Sequence, residues 1–248
     1  MSIIGGFMEA FANSDIGKVR DMNQDSYYIS DKDDKIKLYI VADGMGGYKG
    51  GEIASKLAIE SSKNYIINNF DQIKKERDQI IELIKNAIEY ANMVVYEKSK
   101  EVPELAGMGT TIDVCLIYSN RIYIGHIGDS RVYRLRKDFF RKLTVDDSYV
   151  EQLVKEGNIT KEEAYNHPKK NMLTKALGCT AFVEPTVLVK GFMKGDILLM
   201  CTDGLTNMLK DDKICEIIKQ NSEQASKELV KKANEQGGYD NITAVIIL

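Results

Sequence analysis

The chain has 248 residues and a formal net charge of −3, because 37 Asp and Glu residues slightly outnumber 34 Lys and Arg residues. Hydrophobic residues make up 44% and charged residues 29%, which excludes disordered, collagen-like and coiled-coil chains. The acidic balance also argues against nucleic-acid binding, since phosphate backbones require an excess of cationic side chains.

Neither a membrane-spanning segment nor a secretory signal is predicted. No apolar run approaches the roughly 20 residues that a spanning helix needs, and the N-terminus lacks the basic and apolar regions of a signal. The four cysteines have no C-x-x-C spacing, and Cys115 and Cys201 lie within apolar runs, where a thiol acts as a small hydrophobic group. We therefore expect a cytoplasmic protein that does not bind membranes.

The hydrophobic pattern predicts strands and helices in separate blocks. The first strands are expected at 7–12, 26–29 and 37–42, and two long helical patterns follow at 52–69 and 76–100. The later strands are expected at 111–118, 121–127, 131–136, 139–143, 186–191, 196–201 and 243–248, and the later helices at 211–220 and 222–235.

This order of elements indicates an α+β fold, because the predicted hairpins argue against a doubly wound parallel sheet. The helix pairs are expected to cover the outer faces of a central sandwich of two antiparallel β-sheets. Residues 147–178 are predicted to form short helices and charged loops. No linker rich in Pro, Gly or Ser interrupts the chain, so we predict a single domain over 1–248.

Aspartates lie at the ends of the most apolar strands. A lone Asp-Gly pair is most often only a turn, since Asp tolerates turn geometry and Gly supplies a positive φ. Repetition of the pattern beside several apolar strands instead suggests carboxylates that converge at the edge of the core. The aspartates in this position are Asp25, Asp43, Asp129, Asp203 and Asp240.

Converging carboxylates must be compensated by protons or cations, since each unneutralised charge beside a low-dielectric core costs several kcal/mol. Oxygen ligands in a chain with only two His select hard cations, namely Mg²⁺ or Mn²⁺. Four or more carboxylates can hold two ions ~3.5–4 Å apart, the geometry that activates a bridging hydroxide for in-line attack on phosphorus. Arg20, just ahead of the strand that begins near Asp25, would bind two phosphate oxygens, and its alternative role is a surface salt bridge.

A series of short motifs extends over nearly the whole chain, from Ser14 to Ile247. The motifs are SDIGKVRDMNQDS (14–26), VADGMGG (41–47), GEIAS (51–55), GMGTT (107–111), HIGDSRVYRLR (126–136), LTVDDS (143–148), LTKALG (173–178), LLMCTDGLTNML (198–209) and GGYDNIT (237–243). In this order they resemble the bacterial branch of the metal-dependent protein phosphatases, of the protein phosphatase 2C type. Each motif is weakly specific alone, but the ordered set is very specific.

The resemblance implies two stacked antiparallel sheets flanked by helix pairs, and hydrolysis of phosphoserine and phosphothreonine in proteins. Matched motif by motif, it implies that Asp43 bridges two metal ions and that the Gly44 carbonyl binds one of them. Asp203 and Asp240 would hold the other ion, and Asp25 would act mainly through metal-bound water.

The resemblance also implies a third-metal site at Asp129 with Asp203, so that two or three Mn²⁺ or Mg²⁺ ions would bind. Arg20 would grip the substrate phosphate. Residues 147–178 would contain a mobile flap, at about 149–170, where substrate choice is decided. The expected partners are phosphoproteins, including a Ser/Thr kinase, and the protein is expected to be a monomer.

The mechanism that follows is attack on phosphorus by a hydroxide that bridges the two ions, with Arg20, Asp43 and Asp203 as catalytic residues. No covalent phospho-enzyme is expected. Cys115 and Cys201 lack a C-x₅-R loop, which argues against thiolate catalysis of the tyrosine-phosphatase kind.

Several positions depart from the family pattern. Met45 stands where eukaryotic relatives have a histidine proposed as general acid, so water or another donor would protonate the leaving oxygen. Tyr48 and Asp147 replace frequent histidines. We expect His126 to pack within a strand and His167 to make a contact at the flap hinge.

Three alternative functions fit the sequence less well. A phosphatase for an anti-sigma-factor antagonist is disfavoured by Arg20 and by the intact GDSR motif. A non-catalytic phosphoprotein-binding relative would be favoured by loss of a metal carboxylate, but none is missing. A metal-dependent nuclease is disfavoured by the acidic charge balance.

Overall fold

The computed structural model describes residues 8–47 and 49–248. Its strands are β1 (Ala10–Asp15), β2 (Asp25–Ile29), β3 (Lys37–Met45), β4 (Gly109–Thr110), β5 (Ile112–Tyr118), β6 (Arg121–Ile127), β7 (Arg131–Arg136), β8 (Phe139–Lys142), β9 (Thr186–Gly191), β10 (Ile197–Cys201) and β11 (Ile242–Ile247). Its α-helices are α1 (Gly50–Phe70), α2 (Arg77–Glu101), α3 (Tyr149–Lys155), α4 (Lys161–Tyr165), α5 (Asp203–Thr206), α6 (Asp211–Gln220) and α7 (Ala225–Glu235). A 3₁₀ turn covers Pro103–Leu105.

Two antiparallel sheets form the centre of the fold. The first has the strand order β1-β11-β10-β7-β8, and the second has β2-β3-β5-β6-β9, with the short β4 paired to β3. Helices α1 and α2 pack on the second sheet, and α6 and α7 pack on the first. The predicted α+β class, with two antiparallel sheets between helix pairs, is confirmed.

Strand β3 shows how one sheet contributes to two cores. Leu38 and Ile40 pack towards the helix pair α1 and α2, whereas Tyr39 and Val41 pack between the two sheets. Because side chains alternate between the faces of a strand, a strand buried on both sides must be apolar at every position. This explains the uninterrupted apolar run that ends at Asp43.

Some element boundaries differ from the predicted ones. The first strand is β1, Ala10–Asp15, rather than 7–12, and residue 7 lies outside the described residues. Pairing with β11 sets this boundary, since Asp15 lies opposite Ile242. Strand β3 continues to Met45 because β4 pairs with its end. The last helix begins at Ala225 rather than at 222.

The region 147–178 contains two short helices, α3 and α4, joined by loops, as predicted. Both begin at a hydroxyl side chain that caps the helix: Ser148 accepts from the Glu151 N–H, and Thr160 forms a reciprocal capping box with Glu163. Within the described residues, none of the helices is long and apolar enough to cross a membrane.

Gly125→Ala is expected to destabilise the fold by about 1–3 kcal/mol, because overpacking forces neighbouring side chains off their rotamers. A Cβ at this position of β6 would lie 2.5 Å from side-chain atoms of both Ile84 and Ile88 on α2. Urea unfolding measures the change, and Ile88→Val should restore part of the loss. Gly191→Ala is the matched control, since a Cβ there meets nothing within 4 Å. Equal destabilisation by both alanines would contradict this view of the packing.

Candidate metal centre

Asp25 and Asp43 lie directly opposite each other on the neighbouring strands β2 and β3. The backbone of Asp43 is fixed by Thr111, whose Oγ1 accepts from the Asp43 N–H at 2.9 Å and whose N–H donates to the Asp43 carbonyl at 2.9 Å. Gly44 follows in a position with no room for a side chain, since a Cβ there would lie 2.0 Å from the Gly51 carbonyl oxygen.

The carboxyl of Asp25 reaches from the second sheet to the first. Its Oδ2 accepts hydrogen bonds from the hydroxyls of Thr202, at 2.8 Å, and Thr243, at 2.7 Å. These threonines lie at the end of β10 and within β11, and they also bond to each other through the Thr243 N–H and Thr202 Oγ1. The other oxygen, Oδ1, is buried and has no hydrogen-bond partner among the described residues.

Asp203 begins helix α5, directly after β10 and Thr202. The side-chain amide of Asn207, one turn later, donates to Asp203 Oδ2 at 2.9 Å and so fixes the carboxyl. Asp129 lies in the turn between β6 and β7, and its neighbour Ser130 hydrogen-bonds to Thr111 at 2.8 Å. This bond links the Asp129 turn to the backbone that carries Asp43.

Arg20 and Asp240 come from two loops that are in close contact. Arg20 Nη2 donates to Asp240 Oδ2 at 2.8 Å, while the arginine side chain remains 53% exposed. Gly17 makes this approach feasible, since it adopts a φ of +82° and a Cβ there would lie 2.3 Å from the Asp240 carbonyl oxygen. The Asn241 side chain also joins the loops, because it donates to the carbonyls of Ile16 and Met22 at 2.9 Å.

The five aspartates therefore lie within electrostatic reach of one another around one recess. Loss of hydration is the main cause that raises the pKa values of Asp25, Asp43, Asp129 and Asp203, and mutual repulsion adds to it. The pKa rises from the usual 3.8 to about 7 for Asp25 and to about 6 for Asp203. The pKa values of Asp43 and Asp129 are raised well above the usual range. Asp43 is affected by all four other carboxylates, which places it centrally among them.

The recess suits hydrated hard cations. Among residues 8–47 and 49–248, no three His, Cys, Asp or Glu side chains form a complete ligand set around one point. Mg²⁺ does not require such a set, because it keeps several waters and is commonly held by one or two carboxylates. The donors present are all oxygens, and the unpartnered Oδ1 of Asp25 lacks the positive partner that a buried carboxylate oxygen needs.

A basin of about 660 Å³ opens beside the recess, with Asp129 and Asp203 in its wall. Helices α3 and α4 contribute Val154 and Tyr165 to the opposite side. The hydroxyl of Tyr165 donates to the carbonyl of Asn207 at 3.2 Å, so α4 contacts the residue that orients Asp203. The region predicted as a flap thus lies beside the carboxylates.

The supporting residues Thr202, Thr243, Asn207 and Asn241 are not among the predicted site residues. Two of them carry a local signal, because Asn207 and Asn241 follow aspartates within the motifs DGLTN and DN. The two threonines carry none, since a threonine at the end of a strand is common.

The histidines and cysteines lie outside this arrangement. His126 is buried in β6, as predicted, and it also forms a hydrogen-bonded pair with Asp113. His167 packs beside Tyr149, with ring centroids 6.1 Å apart, and accepts from the Lys169 N–H, which agrees with a contact in the flap region. Burial raises the thiol pKa of Cys115 and Cys201, so neither is a thiolate near neutral pH.

The metal-free protein is expected to lose stability as the pH rises from about 5 to 8. The folded-state pKa values of Asp25 and Asp203, about 7 and about 6, exceed the unfolded value of 3.8, so the folded state binds more protons in this interval. The loss should be on the order of 3 kcal/mol. Thermal unfolding in EDTA at the two pH values measures it.

Mn²⁺ should therefore raise Tm more at pH 8 than at pH 5, because it replaces the protons that the carboxylates lose. Asp25→Asn should reduce the pH dependence of stability in EDTA. Asp33→Asn, at an exposed carboxylate, should leave that dependence unchanged. Equal stability of the metal-free protein at both pH values would show that the pKa values of these carboxyls are not raised in the folded state.

Several known proteins are similar to this chain. A family model described as Protein phosphatase 2C matches residues 18–240. The serine/threonine phosphatase stp of Listeria innocua is 36% identical over 242 residues, which cover 97% of this chain and 95% of that protein.

Two solved structures have the same fold. The Mycobacterium tuberculosis serine/threonine phosphatase PstP/Ppp has a TM-score of 0.87 at 36% identity, over 97% of both chains. The catalytic domain of PstP in complex with two manganese ions has a TM-score of 0.85 at 34% identity, also over 97% of both chains. The chain therefore belongs to the protein phosphatase 2C family of serine/threonine phosphatases.

Proposed function

We propose that this chain is a metal-dependent phosphatase that hydrolyses phosphoserine and phosphothreonine in proteins. The observation that carries the proposal is the recess at the edge of the two sheets, where several aspartates are withdrawn from water beside an exposed arginine. The manganese complex of the PstP catalytic domain supports the presence of two divalent cations in such a recess.

Asp43 is the residue best placed to bridge two cations, because it lies among all the other carboxylates of the recess. The Gly44 carbonyl would hold one of these ions, and Asp203 and Asp240 the other. Asp25 would act through a water molecule, which agrees with its geometry: two hydroxyls occupy Oδ2, and only Oδ1 is left.

A third cation would bind at Asp129 together with Asp203. Two observations support this: Asp129 and Asp203 both lie in the wall of the basin, and the charge of Asp203 is the second cause, after loss of hydration, that raises the pKa of Asp129. Both Mn²⁺ and Mg²⁺ suit this site, since both prefer oxygen ligands.

When bound, the two ions supply a bridging hydroxide for in-line attack on phosphorus and neutralise charge on the phosphoryl oxygens. Arg20 orients the phosphate. Its guanidinium contacts Asp240 through one nitrogen only among the described residues, which leaves other N–H groups for two phosphate oxygens. Met45 has no proton to donate, so water or another donor would protonate the leaving oxygen.

The substrate and setting follow from the same assignment. The partners would be phosphoproteins, among them a Ser/Thr kinase whose phosphorylation the enzyme reverses. We propose one catalytic domain over 1–248 with a flap at about 147–178, acting as a monomer in the cytoplasm. The four cysteines are all free thiols, which is typical of a reducing compartment.

Asp43→Asn and Asp203→Asn are each expected to lower kcat for p-nitrophenyl phosphate at saturating Mn²⁺ by roughly 100-fold or more, because each removes charge that holds the ions. Circular dichroism should show an unchanged fold, since the substitution relieves repulsion. Asp33→Asn, at an exposed carboxylate, is the control and should keep full activity. Unchanged kcat in both site variants would refute the assignment, whereas wild-type protein that binds metal without turnover would be a non-catalytic phosphoprotein-binding module.

Cys201→Ser is expected to keep kcat within about twofold, because burial raises the pKa of this thiol and prevents it from acting as a nucleophile. The buried hydroxyl should cost some stability, so kcat is measured per mole of folded enzyme. Complete loss of turnover in folded Cys201→Ser would indicate thiol chemistry instead.

A further inference from the structure

Asp113 and His126 form a buried polar pair that the proposed mechanism does not use. They lie opposite each other on β5 and β6, with side chains only 0% and 1% exposed. His126 Nδ1 lies 2.7 Å from Asp113 Oδ1, and His126 Nε2 lies 3.0 Å from the Val145 carbonyl oxygen. The imidazole therefore connects the second sheet to the segment after β8.

This geometry fixes the number of protons that the pair holds. A carbonyl oxygen can only accept, so Nε2 must carry the proton in the bond to Val145. A neutral imidazole would then present a lone pair to the carboxylate at 2.7 Å, where two acceptors repel each other. One further proton must lie between Nδ1 and Asp113 Oδ1. Asp113 Oδ2 is buried without a partner in the described part of the chain, which makes a shared proton all the more favourable.

The segment that His126 holds is the entrance to the flap region, and we call residues 143–148 the root segment. The Asp147 N–H donates to the Gly128 carbonyl at 2.7 Å, immediately before Asp129. The Thr174 N–H donates to the Asp147 carbonyl at 2.8 Å, so the root segment also holds the far end of the flap region. Thr144, Val145, Asp146 and Ser148 line the basin beside the carboxylates.

The charges around the pair favour the retained proton. The pKa of His126 is lowered by burial, but Asp113 and the more distant Asp147 and Asp146 outweigh this and raise it overall. Asp146 itself is paired with Arg131 and Lys142. The groups on neighbouring elements are Asp146 and Asp147 in the root segment, Cys115 on β5, Cys201 on β10 and the uncharged Thr186 opposite on β9.

We infer that His126 is a positioning residue: with a proton shared with Asp113, it holds the Val145 carbonyl and thereby the root segment against which a phosphoprotein substrate binds. The inference rests on the phosphatase function proposed above. It adds to that function a residue that the proposed mechanism does not use. Loss of the shared proton at alkaline pH would force the imidazole to donate to Asp113 and to release Val145.

Two variants distinguish the effect of the shared proton from the effect of the hydrogen bond to Val145. Asp113→Asn keeps both hydrogen bonds without a shared proton, because the amide N–H donates to Nδ1 and Nε2–H still reaches Val145. Asp113→Val/His126→Leu replaces both partners by apolar groups, which avoids an unpaired buried charge but removes the bond to Val145.

The double variant should raise KM for a phosphothreonine peptide about fivefold, the effect of one lost hydrogen bond, with little change in kcat. Amide hydrogen exchange at 143–148 should be faster in the double variant than in the wild-type protein.

Asp113→Asn should keep the wild-type KM near pH 6.5. Between pH 6.5 and 9.5, the ratio of wild-type KM to Asp113→Asn KM should rise, and this ratio cancels any titration at the metal recess.

Nitrogen-15 NMR of His126 provides a readout that does not depend on turnover. The wild-type protein should show a proton shared at Nδ1 near neutral pH, and Asp113→Asn should show a neutral ring protonated at Nε2. A wild-type ring with an unprotonated Nδ1 and no shared proton, or unchanged exchange and KM in the double variant, would overturn the inference. If the double variant does not fold, the NMR spectra and the KM ratio still decide. Absence of turnover in all forms would instead refute the proposed function.

Discussion

The crowding of carboxylates at one edge of the sandwich is the constraint on which this structure depends. Asp43 must either bind a proton or lie beside a cation. Loss of hydration and repulsion by Asp25, Asp129 and Asp203 both raise its pKa and so disfavour the isolated carboxylate. Holding these groups together lowers the stability of the folded protein when no metal is bound.

Long-range hydrogen bonds keep the edge together. Asp25 belongs to the second sheet, but its Oδ2 is held by Thr202 and Thr243 of the first, across 177 and 218 residues of sequence. Layers of apolar side chains on both faces of each sheet fix the strands from which these groups project. The helix pairs α1–α2 and α6–α7 contribute by covering the outer faces of the two sheets.

Asp43, Asp129 and Asp203 could be predicted from the sequence because each follows an apolar run, whereas Asp25 and Asp240 lie at or just before the start of a strand. Burial on both faces of a strand makes the apolar runs visible. The α+β class was predictable for the same reason. The partners of Asp25 were not, since hydroxyls at strand ends carry no distinctive pattern and their pairing depends on register between distant strands. Likewise, the apolar context of His126 predicts burial, but its pairing with Asp113 follows only from the register of β5 against β6.

The ion pair between Arg20 and Asp240 would link the binding of a cation at Asp240 to the binding of an anion at Arg20. The Asp240 oxygen that accepts from the guanidinium cannot offer the same lone pair to a cation, so a cation at Asp240 competes with the arginine for it. A cation in the site proposed at Asp240 would add the Nη2 group to the Arg20 N–H groups that can bind an anion. By thermodynamic reciprocity, an anion held by Arg20 must in turn tighten the cation by the same factor. With a cation at Asp240 and a phosphate at Arg20, as proposed, loading of metal and capture of phosphate would thus be cooperative.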